Sequence, residues 1–362
     1  MSSNRVVSFL LSAPPSIPVG GFKVVFEYAN RLADDGFIVN LVYPCYVYKA
    51  SLGRLINVKL FIVGLLNFFI FYTFSKFYKV KWFKLHSGIR ETIVFSLKES
   101  FVPRSDFYIA TAVETAIELN KYTNNGQKLY LVQGYEDWFF SKEVLIDTYR
   151  YKMKTIVVSS WLYSIVSKYN ENCICIPNGF DFNFFSTFIK PESRDRFRVL
   201  MMYHKDLNKG CNDGFKAFQY VKDLYPQLRV CLFGVPDRPK NLPDWYEYFQ
   251  TPEKELFNRL YNESAIFVGP SWSEGWGLTI GESMMCSCAV VCTDNDGYKE
   301  MAKNNDTALI SPIKDPDSLA NNIIRLIDDD VLRIRLAKNG NNFIKDFSWE
   351  KSYNRFKQFL LV

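Results

Sequence analysis

Between Gly36 and Arg90 the sequence contains no aspartate or glutamate. The same stretch carries Lys49, Arg54, Lys59, Lys76, Lys79, Lys81, Lys84 and Arg90, so a chain with a formal charge of only +6 holds a local positive field. Histidine is scarce: His86 and His204 are the only two. Both lie far from the pairs Cys173/Cys175 and Cys286/Cys288, whose spacing is not the C-x2-C of a zinc site. The eight cysteines therefore read as free, mostly buried thiols. With no N-terminal apolar h-region or small-residue cleavage site, they give a reducing compartment, the cytoplasm, as the expected location. The fingerprint G-x-G-x-x-G is missing too, which speaks against a nicotinamide dehydrogenase. No repeat at a fixed short period is present.

What is there suffices for two cores. The chain has 362 residues with 48% hydrophobic content, and a domain takes roughly 150. Val6 to Leu11 is a continuous apolar run, broken by the loop from Ala13 to Gly21. Val24, Val25, Tyr28, Ala29 and Leu32 then recur at helical spacing, Gly36 suits a C-terminal cap, and Phe37 to Tyr43 is strand-like again. Similar runs occur at Phe107 to Thr111, Lys128 to Gln133, Thr155 to Ser159 and Cys173 to Ile176. A second set follows at Phe197 to Met202, Leu228 to Phe233, Ala265 to Val268, Ala289 to Cys292 and Ala308 to Ser311. Strands alternating with helices build parallel sheets. The fold class expected is α/β, with two Rossmann-like doubly wound domains facing across a cleft. Residues 1–185 form the first, 186–347 the second, and 348–362 a helix packing back towards the first. The polar segment Lys190 to Arg196 reads as a linker.

The sharpest motif is Ser271-Trp272-Ser273-Glu274-Gly275-Trp276-Gly277-Leu278-Thr279-Ile280-Gly281-Glu282, between a strand and a helix. Its glycines let the backbone turn and approach a ligand, and the helix N-terminus behind them suits a diphosphate. Glu282 and Glu274 can accept hydrogen bonds from sugar hydroxyls. The plainer reading makes Thr279 and Glu282 a capping box, which explains neither Glu274 nor the glycines.

With this E-x7-E segment, the Ile176-Pro177-Asn178-Gly179-Phe180-Asp181 segment, Glu300 and Gly20-Gly21, the chain resembles the retaining glycosyltransferases of the GT-B fold, family 4, over nearly its whole length. The resemblance implies transfer of a sugar from a UDP, GDP or dTDP donor to a glycan or lipid-linked glycan, with retention and without a metal or other cofactor. By position it implies Glu274 and Lys209 as catalytic residues. It implies Gly20, Gly21, His204, Lys205, Lys209, Thr251, Gly275, Trp276, Gly277, Leu278, Thr279 and Glu282 as donor-binding. His204 stands where the family usually has arginine, and Lys205 is the neighbouring cation that could compensate. Gly20 and Gly21 otherwise mark a loop of unusual backbone angles. In the first domain Gln133, Tyr135 and Glu136, within Leu131 to Trp138, are the acceptor-binding candidates. That stretch resembles a Q-x-Y-E segment of bacterial, rhamnosyltransferase-like members acting in polysaccharide synthesis. Glu136 either orients the acceptor or completes a turn.

Three Asp-x-Asp patterns, at Asp294/Asp296, Asp315/Asp317 and Asp328/Asp330, read as loop and capping residues rather than metal ligands. Leu60 to Phe74 is nearly all apolar but, at 15 residues, shorter than the roughly 20 that span a bilayer. An amphipathic or hairpin element in the interface of the inner membrane, with residues 54–84 against anionic headgroups, is one reading, and a buried core helix the other. Nucleic acid is not an expected partner, because the basic stretch is apolar rather than a polar stripe. Two rival functions remain open: a sugar-nucleotide epimerase of the same fold, and a catalytically silent nucleotide-sugar-binding subunit of a membrane assembly.

Overall fold

The computed structural model describes residues 5–47, 53–74, 79–137 and 140–362. Lys49, Lys76 and Trp138, named above, lie outside the described residues. The chain divides into two compact units, residues 1–178 with 350–362, and residues 179–349. The division falls between Asn178 and Gly179 rather than after residue 185.

In the first unit the chain runs β1 (Val6–Leu10), α1 (Gly20–Asp34), β2 (Ile38–Pro44), α2 (Arg54–Phe74), β3 (Arg90–Val94), β4 (Phe107–Ala110), α3 (Val113–Asn120), β5 (Gln127–Val132), α4 (Lys142–Tyr149), β6 (Lys154–Val157), α5 (Ser160–Val166) and β7 (Cys173–Cys175). All seven strands are parallel, in the order β3-β2-β1-β4-β5-β6-β7. The second unit holds β8 (Arg198–Met202), α6 (Cys211–Leu224), β9 (Arg229–Gly234), β10 (Tyr246–Gln250), α7 (Lys254–Glu263), β11 (Ile266–Gly269), α8 (Leu278–Met285), β12 (Ala289–Thr293), β13 (Ala308–Ser311), α9 (Pro316–Asp328) and α10 (Asp330–Ile344). Its six strands are likewise parallel, in the order β10-β9-β8-β11-β12-β13.

Strands buried on both faces must be apolar throughout, and the central ones are: β4, β11 and β12 are buried at every position. The helical stripe read in α1 is the stripe that packs, with Val24, Val25, Tyr28, Ala29 and Leu32 all buried. A last helix, α11 (Trp349–Leu361), returns to the first unit. There Phe356 stacks on Tyr28 with ring centroids 4.3 Å apart, and the Lys357 ammonium lies 2.7 Å from Asp35.

Three expectations need correcting. Gly20 and Gly21 are not a loop of unusual angles: they begin α1, and neither has a positive φ. The segment Lys190 to Arg196 is not a linker between the units but part of the second one, where Arg194 is buried and its guanidinium donates to the carbonyls of Ser264 at 3.0 Å and Ser287 at 2.9 Å. Those carbonyls satisfy the buried charge in place of a carboxylate.

The stretch that starts at Leu60 belongs to a single helix, α2, neither a hairpin nor core. Ten large apolar side chains between Leu55 and Ile70 are exposed, Leu55 to 86% and Leu66 to 58%. From Arg54 to Ile70, the part of the helix whose side chains are described, only Asn57 and Gly64 are buried, with Leu60 and Phe68 half-buried beside them. These four make the helical stripe that meets the sheet. A Cβ on Gly64 would stand 2.8 Å from the Cys45 carbonyl oxygen, so only glycine allows this approach. The exposed side is mostly apolar, with Arg54, Lys59 and Asn67 its polar members, so α2 is not amphipathic in the usual sense of one polar and one apolar face. Burying each such side chain is worth about 1.5–3 kcal/mol, which this unit leaves unrealised. Among the described residues no helix is long and apolar enough to cross a membrane.

Candidate active site

In a doubly wound sheet the ligand site lies beyond the carboxyl ends of the strands where the strand order reverses. In the second unit that point is between the neighbours β8 and β11. The loop leaving β8 carries His204, Lys205 and Lys209, and the loop leaving β11 carries Ser271, Glu274 and the glycines.

The two loops are tied across this point. Lys209 Nζ lies 2.8 and 2.9 Å from the two Glu274 oxygens, and Ser271 Oγ donates to Glu274 Oε1 at 2.8 Å. The backbone joins them as well, through Trp272 N–H to the Asn208 carbonyl at 2.7 Å. Both charged side chains are only partly exposed, 25% for Lys209 and 14% for Glu274, a setting in which the pair is screened less than a surface one.

Local geometry explains why these loops hold their shape. Gly210 sits at φ +62°, and a Cβ there would meet the Pro270 carbonyl oxygen at 2.0 Å. Gly277, at φ +91°, caps α8 and packs on the Tyr298 ring. With Gly277 as the cap, Thr279 lies inside the helix, so the Thr279/Glu282 capping box does not form. The first helical bonds run from Ile280 and Gly281 N–H to the Gly277 carbonyl. The amides of Leu278 and Thr279 therefore precede the intrahelical ladder, as the first amides of any helix do.

Sequence reading missed the support beneath Glu274. Asn295 Nδ2 donates to the Ser271 carbonyl at 2.9 Å, as does the Thr293 hydroxyl. Gly297 lies directly under Glu274, where a Cβ would come to 2.3 Å from the Glu274 carbonyl oxygen. The visible signal was the Asp294-Asn295-Asp296 pattern, which conceals a buried asparagine between two acids that both pair with Lys299. Asp315 likewise accepts from the Ser318 N–H at 2.9 Å as the N-cap of α9.

The remaining donor candidates differ in what they can offer. Glu282 is buried, with Tyr261 Oη donating to its Oε2 at 3.2 Å. Trp276 is also buried, its ring against Phe180 and Phe347, so its side chain belongs to the core. Thr251 adopts φ +44° directly after β10 and donates its N–H to the Gly234 carbonyl. Lys205 is exposed. His204 Nδ1 accepts the Asp206 N–H at 3.0 Å, which puts the ring proton of the neutral form on Nε2. Desolvation, and then the Lys209 ammonium, hold its pKa below the usual 6.5. His204 is thus a neutral donor at pH 7, not a second permanent cation.

In the first unit the acceptor candidates gather at the carboxyl ends of β1, β4, β5 and β6. The Gln133 amide lies 3.5 Å from where a Gly21 Cβ would stand. Glu136 Oε2 accepts the N–H of Val113, the first residue of α3, at 3.0 Å, so one oxygen caps the start of that helix. Tyr135 lies 6.3 Å from the half-buried ring of Trp161, which sequence reading passed over.

Burial pushes the Glu136 carboxyl up to about 8 from its ordinary 4.5. The folded state therefore keeps a proton that the unfolded chain gives up above about pH 4.5, and stability falls as pH rises through that window towards 8. We expect on the order of 1–2 kcal/mol to be lost between about pH 6 and 8, and Glu136→Gln to flatten that slope. Thermal melts of both proteins across that range check it.

The family model described as Glycosyl transferases group 1 matches residues 184–343. An O-antigen chain mannosyltransferase B of Escherichia coli is 33% identical over 106 residues, 29% of this chain and 27% of that protein. The N,N'-diacetylbacillosaminyl-diphospho-undecaprenol alpha-1,3-N-acetylgalactosaminyltransferase of Campylobacter jejuni is 26% identical over 188 residues, 47% of this chain and 49% of that one. The chain spans about half or less of the length of the curated relatives it matches. Among solved structures, Anabaena HepE in complex with UDP-glucose superposes with a TM-score of 0.73 at 15% identity, covering 98% of this chain and 99% of that one. The chain therefore has the GT-B fold of two parallel-sheet Rossmann-like domains, and its second domain carries the match to the group 1 glycosyl transferases.

Proposed function

We propose that the protein transfers a sugar from a nucleoside diphosphate donor, UDP-, GDP- or dTDP-linked, to a glycan or lipid-linked glycan, with retention of anomeric configuration. The observation that carries this reading is the Lys209–Glu274 pair across the strand-order reversal of the second sheet, with Glu274 in the loop that leads into the N-terminus of α8. A leaving diphosphate needs cations and N–H donors placed before the reaction starts. Lys209, the Leu278 and Thr279 amides and His204 Nε2–H are of that kind, and they can neutralise the charge without a metal. Glu282 would accept from the donor ribose, and Glu274 from the transferred sugar.

In the step proposed, the bond from the anomeric carbon to the diphosphate oxygen breaks. The acceptor oxygen bonds to the same face of that carbon, and its proton passes to the departing phosphate. Glu274 positions the sugar and forms no bond to it. The acceptor would sit in the first unit, by Gln133, Tyr135 and Glu136. The relatives named for O-antigen and diphospho-undecaprenol substrates support bacterial polysaccharide synthesis and a peripheral seat on the cytoplasmic face of a membrane through residues 54–84. The solved neighbour holding UDP-glucose makes a UDP-sugar the first donor to try.

Proton NMR of the product formed from an α-linked donor tests the proposal. An α-linked product is expected, and a β-linked product would overturn retention. Donor bound but never transferred or hydrolysed would favour the silent-subunit reading, which draws on the neutral His204 and on the basic, apolar 54–84 segment.

A further inference from the structure

The helix α2 is the largest feature the site does not use. At 21 residues and about 1.5 Å per residue it is roughly 32 Å long, attached to its sheet along the narrow stripe of Asn57, Leu60, Gly64 and Phe68. Successive helical residues turn by about 100°, so Val63 and Leu65 lie on opposite flanks with Leu66 near the crest between them. All three are exposed, to 43%, 38% and 58%. A helix half-sunk in headgroups keeps a polar face for the water. This one presents apolar side chains on most of its crest and on both flanks; Lys59, seven residues before Leu66, is the exposed charge on that crest, and its long stem lets the ammonium reach headgroup level.

The next described segment is built the other way. Val80 and Trp82 turn inward, with the Val80 N–H on Glu91 Oε2 at 2.8 Å and Trp82 Nε1 on the Pro15 carbonyl at 3.1 Å. Lys79, Lys81 and Lys84 stand exposed between and beside them. With no acidic residue from Gly36 to Arg90, the charges carried by α2 and by the 79–84 segment themselves are of one sign, which complements an anionic surface.

We infer that α2 is submerged lengthwise in one leaflet of an anionic phospholipid bilayer, below the headgroups, with Lys79, Lys81 and Lys84 at headgroup level. Fluid acyl chains can cover a crest and two flanks together. A second copy of the chain, or a protein groove, would cover one side and leave the other wet. The inference rests on the membrane seat proposed above and specifies its partner and depth.

Flotation of the full chain with vesicles of phosphatidylglycerol and phosphatidylethanolamine, against vesicles of phosphatidylcholine alone, tests it. Wild type is expected to float with the anionic vesicles. The single substitutions Val63→Asp, Leu65→Asp and Leu66→Asp should each lower partitioning about tenfold or more. Lys79→Glu, Lys81→Glu and Lys84→Glu combined should remove the preference for anionic over neutral lipid. Because these positions are exposed, unchanged melting temperatures confirm that the fold survives. Loss with Leu66→Asp alone would leave the membrane seat standing and overturn the submerged depth. Wild type that stays with the pellet overturns the seat and the inference together, as does a lipid-independent dimer that Leu66→Asp disperses. Sugar transfer to a soluble acceptor, measured on the same proteins, is independent of all these outcomes.

Discussion

Glu274→Gln is expected to lower kcat about 10²- to 10³-fold, the scale seen when one preorganised electrostatic group is removed from an active site, while the melting temperature moves little. The carboxylate receives the Lys209 ammonium on both oxygens and Ser271 Oγ on one. An amide offers one acceptor where the carboxylate offers two, and turns N–H towards a cation. Lys209→Ala should cost a similar factor, because it removes the cation placed for the leaving diphosphate. Two side chains in one pair are not independent. The double variant should therefore fall well short of the product of the two losses. Steady-state kinetics of the three variants check this, and fully multiplicative losses would show that the pair does not act as a unit.

Glu282→Ala should weaken donor binding about tenfold to a hundredfold, with kcat falling less, because the carboxylate is assigned to the ribose rather than the reacting carbon. Its burial adds a complication. Tyr261 is fully buried and donates to Glu282, so alanine also strips a buried hydroxyl of that acceptor, which costs about 1–3 kcal/mol. Glu282→Gln keeps an acceptor for Tyr261 and separates the two effects. Its melting temperature should stay nearer to wild type while its donor KM still rises. If Gln and Ala lose the same stability and neither changes donor KM, Glu282 is a core residue only.

Much of this was legible in the sequence because it depends on local pattern. Apolar runs marked the strands of both sheet centres, since a strand covered on both faces has no polar side to hide it. The two strands passed over, β3 and β10, are the outermost of their sheets on one side. Each mixes polar with apolar residues, as in Arg90-Glu91-Thr92 and Tyr246-Glu247-Tyr248, because an edge strand is only half covered. The E-x7-E segment and Lys209 were found as separate motifs 65 positions apart, but the contact between them depends on the strand order that makes β8 and β11 neighbours. Nothing in the local pattern contains that order.

Other parts were misread for physical reasons. Gly20-Gly21 looked like a strained loop because glycine most often signals one, whereas here it starts a helix with no side chain over its first amides. Lys190 to Arg196 read as a linker because it is polar, and a buried guanidinium normally implies a carboxylate, whereas Arg194 is satisfied by backbone carbonyls. Trp161 was invisible as a partner of Tyr135 because the two come from different strand ends. The helix α2 was undervalued because Lys59 and Asn57 interrupt its apolar run, and only the structure shows Asn57 turned inward.

The central claim is that the second domain binds a nucleoside diphosphate sugar where Lys209 and Glu274 meet. Its most direct test is a thermal-shift panel of UDP, GDP, dTDP and their common sugar conjugates against wild type, Lys209→Ala and Glu282→Gln. A ligand that binds only the folded state raises the melting temperature. A rise with one nucleotide family is expected in wild type, with its loss or marked reduction in both variants. A rise of equal size in all three proteins, or none with any nucleotide, would contradict the claim.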